Sequence, residues 1–265
     1  MASSAPIGVF DSGVGGISIL LELKKLLPNE KFLYLADSAH CPYGVKPIEK
    51  IRQRTLEVTD YLISLGSKLV VVACNTACVA GLDQIRAKYP ELPVVGVEPA
   101  VKPAHEATRN GKIGVLATNL TLSGTKFAIL LEKYGTGAEV FLQPAPGLVE
   151  LVESGEIETF ATESLLHQYL DPLLIQGIDT LVLGCTHYPF LRGKIERICG
   201  SGITVIDTGA AVARQTARLL DKYQLVTDKT TTQKTNFYTS GDLETVQNVI
   251  QKLWFEPVSQ VMHFM

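Results

Sequence analysis

The chain has no excess of either charge: 24 lysines and arginines stand against 27 aspartates and glutamates, for a formal charge of -3. That balance offers no basic surface to nucleic acid or to an anionic membrane, so neither is an expected partner. Long hydrophobic runs are also missing. Leu69–Ala73 and Leu181–Leu183 are strand-sized, far short of a membrane span. The opening residues MASSAPIGVFDSG lack a charged stretch followed by an apolar one, so no secretory leader is visible and a cytoplasmic setting is expected. The five cysteines (41, 74, 78, 185 and 199) include no CxxC pair and are odd in number, and only five histidines accompany them. A disulfide framework and a structural zinc site are therefore poor readings, and reduced thiols are expected. Neither GxGxxG nor GxxxxGK[ST] occurs in the first glycine-rich turn, which leaves nucleotide binding weakly supported.

What is present reads as a globular α/β protein. With 265 residues, 46% of them hydrophobic, the chain can build one large or two medium cores. Short apolar segments alternate with amphipathic ones. Strands are predicted at Ile7–Phe10, Phe32–Ala36, Leu69–Ala73 and Val94–Val97. Between them lie helices ending at Leu27 before Pro28, over Lys46–Leu65, and over Thr76–Lys88. Near the end, a helix over 208–223 precedes a polar linker, Thr227–Thr235. A strand at Asn236–Thr239 and a helix at Leu243–Trp254 then return to the first domain.

The order then repeats within the chain. Ile7-Gly8-Val9 recurs as Ile113-Gly114-Val115, 106 positions on, and LVVVAC recurs as LVLGC, with Cys185 following Cys74 by 111 positions. The fourth strand before Glu98 is mirrored by the segment ending at Asp207, 109 positions on. Three similar offsets in one order indicate two copies of one α/β unit. The predicted fold is two similar α/β domains with mainly parallel sheets and pseudo-twofold symmetry. Residues 1–98 with 208–265 form the first domain and 99–207 the second. Ligands bind such sheets at the carboxyl ends of the strands, so a shared cleft is expected with one cysteine on each wall.

Cys74, in ACNTA, sits at a strand-to-helix junction, where backbone N–H groups and the helix dipole favour a thiolate. Asn75 and Thr76 are placed to cap that helix or to grip an anion. Cys185, in LGCTHYP, is followed by Thr186 and His187, an imidazole able to share its proton. Asp11 and Ser12 open the turn FDSGVGG. Tyr43 and Gly44 lie in CPYG, with the tyrosine hydroxyl either facing the cleft or closing the turn. Each of these residues has a plain structural reading. Cysteine is often a small buried hydrophobe, and that reading suits Cys78 best, then Cys41 and Cys199. His105, His167 and His263 read as structural.

A thiol on each wall suits one chemistry in particular. Inverting a stereocentre beside a carboxylate requires proton removal from one face and delivery to the other, with one thiolate and one thiol exchanging roles. Asp11 and His187 are then local partners of the two sulfurs. Ser12, Asn75, Thr76 and Thr186 are candidates to hold the substrate carboxylates. A binding module that closes on an amino acid and a thiol–disulfide oxidoreductase are the rival classes.

The segments FDSGVGG (10–16), CPYG (41–44), ACNTA (73–77) and LGCTHYP (183–189), in this order, resemble the glutamate racemases of the aspartate/glutamate racemase superfamily. The likeness extends to about Tyr223. It implies interconversion of L- and D-glutamate without pyridoxal phosphate or metal, in support of bacterial peptidoglycan synthesis, by a chain that is commonly a homodimer. It makes Cys74 and Cys185 the proton donors and acceptors. Asp11, Ser12, Tyr43, Gly44, Asn75, Thr76, Thr186 and His187 become substrate-contacting or supporting residues. Glu153 resembles a family carboxylate near the second thiol, although Glu150 lies one turn away. Similar aspartate racemases tend to carry an acidic residue two positions after the second cysteine; His187 stands there instead, which favours glutamate. An aspartate-type or other acidic amino-acid racemase is the nearest alternative.

Overall fold

A computed structural model describes residues 4–134 and 137–264. Ten strands and eleven helices alternate along them. The first run is β1 (Ile7–Asp11), α1 (Ile17–Leu26), β2 (Phe32–Ala36), α2 (Ile48–Ser64), β3 (Leu69–Val72), α3 (Asn75–Lys88) and β4 (Val94–Gly96). The second is α4 (Val101–Ala107), β5 (Lys112–Ala117), α5 (Asn119–Leu122), α6 (Thr125–Tyr134), β6 (Glu139–Pro144), α7 (Leu148–Glu153), α8 (Phe160–Ile175), β7 (Thr180–Leu183), α9 (Arg192–Cys199) and β8 (Thr204–Ile206). The chain closes with α10 (Gly209–Lys222), β9 (Thr235–Thr239), α11 (Leu243–Leu253) and β10 (Val261–His263).

Two separate sheets result, and every strand pairing in them is parallel. One has the order β10-β9-β2-β1-β3-β4 and the other β6-β5-β7-β8. The inner order β2-β1-β3-β4 is thus repeated as β6-β5-β7-β8, strand for strand. The registers repeat too: Phe10 pairs with Val72, and Leu116 with Leu183. The central strands read as continuous β-branched and leucine runs because helices cover both of their faces. All four residues of β3 and all four of β7 are buried.

Most element boundaries agree with the sequence reading, and the differences have local causes. The helix expected from Lys46 begins at Ile48. Lys46 precedes Pro47, whose ring disfavours helical backbone at the residue before it, and Lys46 is extended with ψ 155°. Trp254 lies beyond α11 in extended backbone. The strand β10, not anticipated, adds to β9 at the sheet edge. The 227–234 linker is tethered as well. Glu30, in a buried pair with Lys68 at 2.6 Å, accepts from the Thr227 amide, and Lys24 Nζ donates to the Gln233 carbonyl. Among the described residues, no helix is long and apolar enough to cross a membrane.

Candidate active site

The carboxyl end of β1 builds one wall. Asp11 is fully buried, and its Oδ2 accepts from the amides of Gly16 at 3.1 Å and Gly13 at 3.3 Å. Tyr34 donates its hydroxyl to the Gly13 carbonyl at 2.7 Å, fixing the turn from below. Burial pushes the Asp11 carboxyl up, and nearby Glu153 adds to this; His187 and hydrogen bonds from Cys74 and the Gly13 amide offset it only in part. The glycines of FDSGVGG are explained by what faces them. A Cβ on Gly15 would lie 2.2 Å from His187 Nδ1, and one on Gly13 would lie 2.0 Å from Glu153 Oε1. The turn is bare so that the other half of the molecule can approach.

That approach is made with hydrogen bonds. Thr186, after β7, donates its hydroxyl to Asp11 Oδ1 at 3.3 Å, and Ser18 of α1 donates to the Thr186 carbonyl at 2.8 Å. Glu153, the last residue of α7, accepts from the Val14 amide at 2.7 Å with the same Oε1 that meets His187 Nε2 at 2.6 Å. Of Glu150 and Glu153, it is Glu153 that stands at His187.

Cys74 and Cys185 line one cavity, at the ends of the equivalent strands β3 and β7, together with Ser12, Tyr43, Gly44, Asn75, Thr76, Thr186 and His187. Its volume is about 20 Å³, room for roughly one water molecule. A much larger concavity of about 730 Å³ lies between α7 and α8, lined by Leu151, Phe160 and Leu165 among others. It is shallow and open, and no thiol or imidazole borders it, so the small cavity is the candidate chemical site.

Cys74 differs from expectation in two ways. It is itself the N-cap of α3, its sulfur accepting from the Ala77 amide at 3.4 Å, so Asn75 and Thr76 begin the helix and do not cap it. Its thiol is also pushed well up, not down: burial and the adjacent Asp11 carboxylate outweigh the Ala77 amide and the Ser12 hydroxyl 3.7 Å away. A helix N-terminus favours a thiolate, but here desolvation and a like charge are stronger. On the opposite wall, Cys185 Sγ lies 3.7 Å from His187 Nδ1. Burial opposes charge on His187. Hydrogen bonds to Cys185, Cys41 and Glu153 nevertheless outweigh it and hold the imidazole well above its ordinary range. The two walls are thus unlike: Cys74 beside a carboxyl group faces Cys185 beside an imidazole.

The remaining predicted residues have defined places. Tyr43 lines the cavity with its ring, but its hydroxyl donates to Asp37 at 2.6 Å and does not face the cleft. Asp37 is buried and also accepts from Arg54 at 2.6 Å and from Ser240 at 2.7 Å. Burial alone would raise its carboxyl, but Arg54, Tyr43 and Ser240 hold it below the usual range. Asn75 Oδ1 is buried and has no hydrogen-bond partner. Thr76 shares a hydrogen bond of 3.1 Å with Thr118, which the sequence reading missed, as it missed Val149. The internal repeat already points to Thr118, because it follows Ser12 by the same 106 positions that separate the two Ile-Gly-Val segments. Cys78 is structural, accepting from the Val97 amide at 3.2 Å. Cys41 is not mere packing; its sulfur stands beside His187 and Glu153.

The Asp/Glu/hydantoin racemase family model matches residues 17–216, most of the chain. The chain belongs to this family. It is 51% identical over 251 residues to a glutamate racemase of Ectopseudomonas mendocina, covering 95% of each chain. Its fold is similar to the crystal structure of a glutamate racemase isoform from Bacillus anthracis, with a TM-score of 0.87 and 31% identity over 98% of this chain and 96% of that one. It is likewise similar to the Escherichia coli glutamate racemase solved with L-glutamate and the activator UDP-MurNAc-ala, with a TM-score of 0.85 and 33% identity over 98% and 97% of the two chains. Membership of the racemase family makes the protein an isomerase, and the cavity between Cys74 and Cys185 is its candidate active site.

Proposed function

We propose that the protein interconverts L- and D-glutamate by a two-base reaction in which Cys74 and Cys185 act on opposite faces of Cα. The observation that carries this reading is the pair of thiols in one cavity, at the ends of equivalent strands, each beside a different polar partner. His187 places a positive charge next to the Cys185 sulfur, where a thiolate serves as the base; Cys74, held as a thiol, serves as the acid. In the reverse direction the roles exchange, with Asp11 placed to take the Cys74 proton. Asn75 Oδ1 suits the substrate ammonium. The hydroxyls of Ser12, Thr76, Thr118 and Thr186 suit its carboxylates. Exclusion of water from so small a site strengthens each of these contacts.

A cavity of about 20 Å³ cannot hold an amino acid. The site must therefore widen for substrate to enter. We further propose that the two sheets mark two domains, 1–98 with 208–265 and 99–207, that move against each other as the site opens. In the cell the product is D-glutamate for peptidoglycan, made in the cytoplasm, by a homodimer.

Glutamate is favoured over aspartate by His187 at the position where similar aspartate racemases carry an acid, and by the glutamate racemases among the relatives. The test is polarimetry of L-glutamate, D-glutamate and L-aspartate solutions with the purified protein and no added cofactor. Decay of rotation for both glutamate enantiomers and a far slower change with aspartate are expected. Binding of glutamate without loss of rotation would instead favour a sensing module.

A further inference from the structure

Cys41 has no part in the two-thiol reaction; it packs against the edge of the core, yet its sulfur also faces polar groups. Its sulfur, a Glu153 oxygen and a His187 nitrogen lie within 4.8 Å of one another. The three come from different elements: the turn after β2, the end of α7 and the loop after β7. Cys41 and Glu153 are half-buried and His187 is buried, so the cluster sits at the edge of the site and not beneath it. Thiolate, imidazole and carboxylate together are the donor set of a thiophilic divalent cation of the zinc type. Metal–ligand bonds of about 2.0–2.3 Å place neighbouring donors roughly 3.5 Å apart in a tetrahedron. The His187–Glu153 contact of 2.6 Å would have to open to reach that value, and the cluster as a whole already lies within 4.8 Å.

We propose that Cys41, Glu153 and His187 form an inhibitory site for a zinc-type cation that adjoins the cavity between Cys74 and Cys185 and shares His187 with it. On binding, the Cys41 S–H bond breaks, a sulfur–metal bond forms, and His187 gives up its extra proton. Both protons pass to solvent, and no electron changes hands. Three protein donors leave a fourth position for water. A bound cation would engage His187 and cancel the positive charge it places beside Cys185, so racemisation stops until a chelator removes it. This last consequence rests on the role proposed for His187; cation binding itself does not.

The test separates the two. Titrating Cd2+ into the purified chain should produce a thiolate-to-metal charge-transfer band that saturates at one ion per chain. Cys41→Ala should abolish it, and Cys74→Ala should leave it intact. Glu153→Gln, which keeps the side chain's shape, should weaken the binding. Absence of the band in the wild type would overturn the proposal. So would a band that survives Cys41→Ala and vanishes in Cys74→Ala, which would place the ion between the cavity thiols. In a racemisation assay, Zn2+ should inhibit the wild type, EDTA should restore it, and Cys41→Ala should lose the inhibition relative to its own metal-free rate. Equal Zn2+ inhibition of Cys41→Ala and the wild type would also overturn it.

Discussion

Replacing Glu153 by glutamine removes one negative charge from the site and keeps the side chain's shape. Glu153 Oε1 accepts from the Val14 amide at 2.7 Å and meets His187 Nε2 at 2.6 Å. The His187 side chain is 2% exposed and that of Glu153 18%, so solvent screens the pair little. A glutamine oxygen can still accept both hydrogen bonds, and what changes is the charge. A hydrogen bond to a charged group contributes about 1.5–3 kcal/mol and a neutral one about 0.5–1.5, a difference of roughly 1–1.5 kcal/mol. The His187 titration should therefore fall toward its ordinary range in Glu153→Gln. NMR titration of the labelled imidazole in both proteins measures this directly. The same charge bears on stability. The folded His187 value is raised above the unfolded one, so the stabilisation is complete below about pH 6.5 and lost as pH rises through the elevated folded value. In Glu153→Gln that pH-dependent component should shrink. An imidazole that titrates identically in the two proteins would refute the assignment of Glu153 as its partner.

Other outcomes follow from the same geometry. Gly15→Ala forces a methyl against the His187 ring and should lower stability by about 1–3 kcal/mol in urea unfolding, with racemisation impaired. Lys68→Met leaves Glu30 buried without its cation and should cost about 3–5 kcal/mol by the same measurement. Cys41 and Cys78 are pushed up to about 12 and Cys199 to about 11, largely by burial. Alkylation of these three near pH 8 should therefore be slow in the folded protein and become rapid on unfolding, as read by mass spectrometry.

Much of the site was legible because the chain contains its own internal reference. Strand-end residues recur at near-constant spacing, so Cys74 and Cys185 could be paired before any coordinates. The parallel order of the sheets followed from strand–helix alternation. The repeat also held Thr118, at the position equivalent to Ser12, although a lone threonine after an apolar run gives no signal unless the offset is applied to it. Other features depended on long-range packing that a one-dimensional pattern does not carry. The direction of the Cys74 shift turned on burial and on Asp11, which lies 63 positions away. The Tyr43 hydroxyl was claimed by Asp37, whose other partners Arg54 and Ser240 come from α2 and from the loop after β9. Cys41 resembled packing until the fold brought α7 and the loop after β7 against it. The three-residue β10, Val-Met-His, is too short to show a period in the sequence and owes its existence to the edge of β9 on which it pairs.

The central claim, that two thiols act on opposite faces of Cα, is tested most directly by deuterium incorporation. One glutamate enantiomer is supplied in D2O and both enantiomers are analysed early in the reaction by chiral separation and mass spectrometry. The product should carry solvent deuterium at Cα while the remaining substrate carries little, and Cys74→Ser and Cys185→Ser should each lose racemisation. Product that retains the substrate's own hydrogen, or full racemisation by either variant, would contradict the account.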